Sequence, residues 1–213
     1  MGRNTNPEAH HCVLSDCHAA NAILPAVTNA TPEASTPGPQ LLSLSLNGRL
    51  WCGAVPQHAL LLDVIRYQAG LTGTKRGCDM GTCGCCAVQI NGEPRLSCLC
   101  LAHDSEGADV RTIEGVQSGP LLSALQAAWV ATGASQCGFC SPGFIMVGEA
   151  FLERNPKPTE EEVRKAIAGN LCRCTGYVKI VEAFMVASSQ AEPGAGQPPP
   201  VLAPVASEDP GRS

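Results

Sequence analysis

The chain has 213 residues, enough for one ordinary domain or two small ones and too few for a large multidomain enzyme. Only 15% of the residues are charged, and 14 lysines and arginines against 19 aspartates and glutamates give a net charge of −5, which argues against a nucleic-acid partner. No apolar run approaches the roughly 20 residues that span a bilayer. Since no charged start followed by an apolar stretch indicates an export signal, we predict a soluble, cytoplasmic protein without membrane insertion.

The 13 cysteines are the unusual feature of the composition. Cytosolic thiols are kept reduced, so structural disulfides are rare in that compartment and metal ligation or redox chemistry becomes the leading explanation. The number is odd, so a disulfide framework would leave one thiol over. Buried, inert thiols are the alternative, because free cysteine is a common core residue.

Both ends of the chain are rich in proline. Five of the 17 prolines precede Gln40 and six follow Gln190, mixed with alanine, threonine, serine and glycine. Such stretches lack the apolar periodicity that offsets the entropy of ordering, so we predict a flexible leader at 1–39 and a disordered tail at 189–213. We interpret the potential metal ligands of the leader as part of that disordered segment. They are His10, His11, Cys12, Cys17 and His18.

Two β-hairpins are predicted after the leader. Alternate leucines from Leu42 predict a strand, and Asn47-Gly48 predicts a type I′ turn into a return strand that ends near Val55. The second hairpin is predicted to run from Cys86 to Ile90, to turn at Asn91-Gly92, and to return through Leu96 to Leu101.

A short helix and a last strand complete this half of the chain. The apolar spacing from Ala59 to Ala69 predicts an amphipathic helix packed on the sheet and ended by Gly70. Val110 to Ile113 predicts the strand. Together these elements indicate a compact α+β unit.

Beyond Gly115 the apolar period becomes helical. Pro120 is predicted to open a first helix, which Gly133 ends. Ser141-Pro142 opens a second, which runs to Asn155-Pro156.

Two more helices follow. Thr159 with Glu162 forms a capping box for a third helix, which stops near Gly169. Thr175 is predicted to cap a fourth that runs through Phe184. Four short helices predict a small bundle.

The first cysteine group has the C-x4-C-x2-C spacing of plant-type 2Fe–2S ferredoxins, with a fourth cysteine further along. Its members are Cys78, Cys83, Cys86 and Cys98. Four thiolates must surround the cluster while the backbone passes close to its sulfurs, and the glycines of this segment permit that approach. Core cysteines or a zinc site are the alternatives.

The choice of Cys86 is not forced by geometry. A two-residue turn at Asn91-Gly92 places Cys85, not Cys86, opposite Cys98. We prefer Cys86 because it keeps the x2 spacing, and a bulge beside the cluster would correct the facing. Cys85 and Cys100 are then spare thiols.

The second cysteine group lies at predicted helix starts. Cys137 and Cys140 precede the second helix of the bundle, and Cys172 and Cys174 lie between the third and fourth. Unpaired amides and the positive end of the helix dipole favour thiolates there. By spacing alone the group fits tetrahedral zinc as well as an iron–sulfur cluster.

Three motifs in this order resemble the iron–sulfur subunit of the molybdenum hydroxylases, the xanthine oxidase family. They are GCDMGTCGCC at 77–86, QCGFCSPG at 136–143 and GNLCRCTGY at 169–177. The resemblance covers about Leu41 to Ala187. The segments LTGTK at 71–75 and TGYVKI at 175–180 look most like those of the small subunits of 4-hydroxybenzoyl-CoA reductase and aerobic carbon monoxide dehydrogenase.

This resemblance implies a β-grasp ferredoxin domain at 40–115 and a four-helix domain at 116–188, each holding one 2Fe–2S cluster. It implies that both cysteine groups are the metal ligands. It further implies that Gln136 and Cys174 contact a molybdenum pterin on a partner, because matching residues do so in relatives. The second cysteine group then lies nearer molybdenum and the first nearer flavin.

The implied function is the relay of single electrons between a large molybdopterin-binding subunit and a medium FAD-binding subunit, with no catalytic residue in this chain. The complex would oxidise an aldehyde, an N-heterocycle or carbon monoxide, or reduce a hydroxybenzoyl-CoA. A free-standing soluble ferredoxin and a zinc-stabilised interaction module are the alternatives. The chain departs from the family at Cys85, where relatives usually have a small residue without a thiol, and in its long leader.

Overall fold

The structure is a computed structural model that describes residues 38–117 and 121–190. The predicted leader up to residue 37, with its histidines and cysteines, and the predicted tail from residue 191 lie outside the described residues. The predicted start of the tail at residue 189 was wrong, because Ser189 and Gln190 belong to the last helix.

The first half of the fold is a mixed five-stranded sheet with the order β2-β1-β5-β3-β4. The pair β1 and β5 is parallel, and the pairs β1 with β2, β3 with β4 and β3 with β5 are antiparallel. The strands are β1 (Gln40–Leu46), β2 (Arg49–Val55), β3 (Ala87–Ile90), β4 (Glu93–Leu96) and β5 (Asp109–Arg111).

Both predicted hairpin turns are confirmed. Asn47 and Gly48 have φ of 53° and 75°, and Asn91 and Gly92 have φ of 52° and 81°. A type I′ turn needs two residues with positive φ, which asparagine and glycine tolerate best.

Two of the predicted strand ends were wrong. The return strand β4 stops at Leu96 in a 3₁₀ turn, and the chain after β5 likewise enters a 3₁₀ turn that includes the last residue predicted for that strand.

The predicted short helix is α1, an α-helical turn at Leu61–Asp63 that continues as a π-helical turn at Val64–Gln68. Gly70 ends it with a φ of 73°. The helix packs on the sheet and buries a first apolar core with the alternating leucines of β1. This core comprises Leu42, Leu44, Leu46, Val55, Leu61, Val64, Ile65, Val88, Ala102 and Val110.

Four helices follow within the described residues and confirm the predicted α+β class. They are α2 (Ala124–Thr132), α3 (Ser141–Arg154), α4 (Glu160–Ala166) and α5 (Val178–Gln190). Their facing sides bury a second core around Phe144 and Phe184, to which Ala87 of the sheet also belongs. The two halves of the molecule therefore share packed surface.

Two predicted helix starts were wrong. Helix α2 begins at Ala124, because the Ser123 hydroxyl accepts the Gln126 N–H at 3.1 Å and the Gln126 side chain accepts the Ser123 N–H at 3.0 Å. Pro120 itself is outside the described residues. Helix α5 begins at Val178 and not directly after Thr175, the predicted cap. The Tyr177 carbonyl accepts the Val181 N–H of this helix at 2.9 Å.

The capping box of α4 is confirmed and predicts a pH dependence. The Thr159 N–H donates to the Glu162 carboxylate at 2.7 Å, and this bond, followed by one from the threonine hydroxyl, lowers the pKa of Glu162. Such a group stabilises the fold above its unfolded-state pKa, and the effect is lost as the pH falls through the lower folded-state pKa.

We expect the melting temperature of wild type to exceed that of Glu162→Gln at neutral pH and the two melting temperatures to converge at acid pH. Glutamine keeps an oxygen acceptor at the same position, so the comparison isolates the charge. Thermal unfolding of both proteins across a pH series is the measurement. A difference that stays constant down to the acid end of the series would contradict it.

Candidate metal centres

The first cysteine group is gathered from a loop and a turn. The loop between α1 and β3 supplies Cys78, Cys83 and Cys86, and the 3₁₀ turn after β4 supplies Cys98. Cys78 is half-buried and the other three are buried. The loop needs glycine at Gly84, where φ is 71° and an added Cβ would lie 2.5 Å from the Gly169 carbonyl oxygen. The backbone therefore encloses the group at a distance that only a glycine at this position permits.

The structure brings Cys86, and not Cys85, to Cys98. The β3–β4 ladder pairs Ala87 with Leu96, and continuing it would place Cys85 opposite Cys98. The ladder stops there, because the chain turns at Ser97–Leu99, and Cys98 packs on Cys86 and Leu62. The predicted correction of facing therefore comes from a 3₁₀ turn instead of a bulge. Cys85 directs its sulfur to the Cys83 carbonyl at 3.8 Å.

The thiols of the first cysteine group differ in acidity. The Met80 N–H and then the Cys83 side chain lower the pKa of Cys78 to about 6. Burial raises the pKa of Cys86 to about 12. Metal ligation needs thiolates, so binding at the buried positions releases protons and requires a cation to replace them.

The second cysteine group lies between the start of α3 and the α4–α5 loop. Cys137 and Cys174 are exposed, with their Sγ atoms 3.6 Å apart. Cys140 and Cys172 lie deeper and are half-buried, and burial raises the pKa of Cys140 to about 12. Cys140 is also the residue that precedes α3, as expected for a thiol at a helix start. The group therefore has an exposed edge and a half-buried edge.

The α4–α5 loop holds Cys172 by hydrogen bonds that sequence reasoning missed. The Tyr177 hydroxyl accepts the Cys172 N–H at 3.0 Å and donates to the Asn170 carbonyl at 3.1 Å. The Thr175 hydroxyl and N–H donate to Cys172 Sγ at 3.0 Å and 3.4 Å. Burial acts to raise the pKa of Cys172, but hydrogen bonds from Thr175, then from the Cys174 backbone and the Cys140 side chain, outweigh it and the pKa lies below its ordinary value. Thr175 was predicted as a helix cap, and its hydroxyl faces the sulfur instead.

The two cysteine groups meet at a junction of hydrogen bonds to backbone carbonyls. The Leu171 N–H donates to the Cys83 carbonyl at 2.9 Å, and the Asn170 side chain donates to the Gly84 carbonyl at 3.1 Å. Gly143 of α3 packs on the same strip, where a Cβ would lie 2.4 Å from the Gly84 carbonyl. The hydrogen bond to Cys83 thus joins a residue of one group to the neighbour of Cys172 in the other.

Exposed apolar side chains surround the outer edge of the second cysteine group. Gln136 is exposed and adjoins Cys137 in sequence. Phe139, Leu171 and Val178 are 45%, 53% and 65% exposed. An apolar surface of this kind, next to a polar side chain and two thiols, indicates contact with a partner.

None of the helices described within 38–117 and 121–190 combines the length and the apolar character that a membrane span requires.

Family models match both halves of the chain. One for a 2Fe-2S iron-sulfur cluster binding domain matches residues 59–125, and one for a 2Fe-2S binding domain matches residues 112–185. The donor set fits that cofactor, since each of the two cysteine groups offers four thiols, the number of protein ligands in a ferredoxin-type cluster.

Curated relatives and a solved structure agree with these matches. The nicotinate dehydrogenase small FeS subunit of Eubacterium barkeri is 44% identical, over 65% of this chain and 88% of its own length. The nicotine 6-hydroxylase small subunit of Paenarthrobacter nicotinovorans is 45% identical, over 73% and 96%. A chain of quinoline 2-oxidoreductase from Pseudomonas putida 86 has a TM-score of 0.71 and 40% identity, covering 74% of this chain and 99% of that one. The chain therefore belongs to the iron–sulfur small subunits of the molybdenum hydroxylase family and is a carrier of two 2Fe–2S clusters.

Proposed function

We propose that this chain relays single electrons between a large molybdopterin-binding subunit and a medium FAD-binding subunit of a cytoplasmic oxidoreductase. When bound, a 2Fe–2S cluster supplies one-electron acceptance and release. The observation that carries the proposal is the junction, where the Leu171 N–H donates to the Cys83 carbonyl and places the two cysteine groups side by side. Electron transfer requires the two clusters to lie close together, and this hydrogen bond lies on a short path between the two cysteine groups.

The proposed metal ligands are the eight cysteines of the two groups. In the first, Cys86 packs on Cys98, and a hydrogen bond links the side chains of Cys78 and Cys83. In the second, Cys137 lies beside Cys174, and a hydrogen bond links the side chains of the two remaining members. Each group thus offers two pairs of thiols, which fits a cluster of two irons. We propose that residues 40–115 and 116–188 form the two cluster-binding domains.

The chain's own residues position the thiols and exclude water. Burial of most of the first cysteine group keeps water from its sulfurs, and the Tyr177 hydroxyl holds the loop that carries Cys172. No acid, base or nucleophile is required of this chain.

Two exposed surfaces support contact with two partners. Gln136 and Cys174 lie at the exposed edge of the second cysteine group, and we propose that they meet the pterin of the large subunit. Met80 and Leu99, next to the first group, are 72% and 61% exposed and suit the flavin-binding subunit. A free-standing ferredoxin would have no use for two apolar faces beside its clusters.

Elemental analysis of the native complex tests this function. We expect two irons and two labile sulfides for each of two clusters in every copy of the chain, together with molybdenum and FAD on co-purifying chains. Zinc without labile sulfide would favour the interaction module and overturn the proposal. Iron and sulfide in a protein that purifies alone would favour the free-standing ferredoxin.

The ligand assignment in the first cysteine group predicts opposite results for neighbouring cysteines. Cys86→Ser should remove the EPR signal of one reduced cluster, because Cys86 is the thiol that packs on Cys98. Cys85→Ser should keep both signals, since the Cys85 thiol lies against the carbonyl and the side chain of Cys83 and is not part of the buried cluster that Cys86 and Cys98 form with Leu62. EPR spectra of the reduced complexes provide the comparison. Loss of a cluster in Cys85→Ser with retention in Cys86→Ser would reverse the assignment.

A further inference from the structure

Thr175 makes two hydrogen bonds to one sulfur. Its hydroxyl donates to Cys172 Sγ at 3.0 Å and its backbone N–H at 3.4 Å. The hydroxyl oxygen also accepts the Tyr177 N–H at 3.3 Å. A hydroxyl has one proton to donate, and since the Tyr177 N–H occupies a lone pair of the oxygen, that proton is left to point at the sulfur.

Other groups hold the backbone around Cys172. The Tyr177 hydroxyl accepts the Cys172 N–H and donates to the Asn170 carbonyl, and the Leu171 N–H is bound to the Cys83 carbonyl. These bonds fix the chain beside the thiol without touching its sulfur. What the Thr175 hydroxyl proton adds is therefore positive partial charge at Sγ.

We infer that Thr175 is a positioning residue that raises the reduction potential of the cluster in the second cysteine group by donating to Cys172 Sγ. The inference rests on the proposed function, because it takes Cys172 as a ligand. One-electron reduction adds a negative charge that the ligand sulfurs share, and a donor to a sulfur stabilises the more negative, reduced form more than the oxidised one. Hydrogen bonds to the sulfurs are among the factors that set cluster potentials.

Thr175→Val isolates the hydroxyl, because valine has the same shape and keeps the backbone N–H. We expect the equilibrium constant for one-electron reduction of this cluster to fall about tenfold, which corresponds to 59 mV for a one-electron couple. An EPR-monitored redox titration of the native complex measures it. The cluster of the first cysteine group is the internal reference and should not shift.

Two variants separate the sulfur donor from loop structure. Thr175→Ser keeps the hydroxyl. Its equilibrium constant for one-electron reduction should therefore lie within about threefold of the wild-type value, a shift less than half as large in millivolts as the tenfold change. Tyr177→Phe removes the hydroxyl that holds the Cys172 N–H without removing a donor to the sulfur, and should leave the potential near that of wild type. A fall in Tyr177→Phe equal to that in Thr175→Val would overturn the inference, since loop order would then set the potential.

The remaining outcomes are also decisive. An unchanged potential in Thr175→Val, or an equal shift of both clusters, overturns the inference and leaves the proposed function standing. Absence of both cluster signals from the wild-type complex overturns the two together. If Thr175→Val does not retain the cluster, Thr175→Ala decides: a lower potential supports the inference, and loss of the cluster there too contradicts it, because the hydroxyl would then serve assembly.

Discussion

Replacing Cys137 with serine should abolish one of the two reduced-cluster EPR signals and leave the other. Cys137 lies 3.6 Å from Cys174, sulfur to sulfur, at the exposed edge of the second cysteine group. Serine is a poor substitute for a thiolate ligand of iron, so the cluster of this group is lost while the first keeps all its thiols. Because the proposed relay is then broken, turnover should fall to background although substrate still binds to the proposed large subunit.

The measurement is EPR of the reduced complex, with substrate binding and steady-state turnover on the same preparation. Cys52→Ser is the matched control, since Cys52 lies in β2 outside both groups, and it should keep both signals and normal turnover. Full retention of both signals in Cys137→Ser would remove Cys137 from the ligand set. Normal turnover with one signal missing would show that electrons bypass the cluster of the second cysteine group.

Gly84→Ala should destabilise the fold and part the two cysteine groups. The φ of 71° at Gly84 costs an alanine about 1–2 kcal/mol. The added Cβ would also lie 2.5 Å from the Gly169 carbonyl oxygen and 2.6 Å from Asn170 Nδ2. Overpacking of this kind adds about 1–3 kcal/mol, so we expect a total loss of about 2–5 kcal/mol.

Gly92→Ala is the matched control. Gly92 has a similar φ of 81° in the β3–β4 turn, and a Cβ there would meet no atom within 4 Å. Its cost should be the backbone strain alone, about 1–2 kcal/mol. Chemical denaturation of wild type and both variants, followed by the visible absorbance of the clusters, ranks them. Equal losses of unfolding free energy in the two variants would show that the junction accommodates the added Cβ without an overpacking penalty.

Features governed by neighbours in the sequence were predictable. The two Asn-Gly turns depend on two residues that tolerate positive φ, and the structure has both. The capping box of α4 depends on Thr159 and Glu162, three positions apart, and it too is present. Such signals fail when two compete. Pro120 suggested a start for α2, while Ser123 and Gln126 supplied a second capping box that the structure uses.

The acceptor that a side chain chooses was less predictable. Thr175 stands where a helix cap is expected, yet its hydroxyl faces a sulfur, because the chain reverses at Gly176 and Tyr177, both with positive φ, and brings Thr175 back to Cys172. The same limit applied to Cys85 and Cys86, where the register of the hairpin pointed to one thiol and the spacing to the other.

The number of cysteine groups, the spacing within each and the family could be read from the sequence alone, because these depend on residues close together in the chain. The tertiary structure selects the thiol that meets Cys98, since the 3₁₀ turn at Ser97–Leu99 ends the ladder directly after β4 and Cys98 then packs on Cys86. It also decided that the groups adjoin. Residues 83 and 171 are brought together by packing α3 and the α4–α5 loop on glycine backbone, a contact that no local pattern encodes.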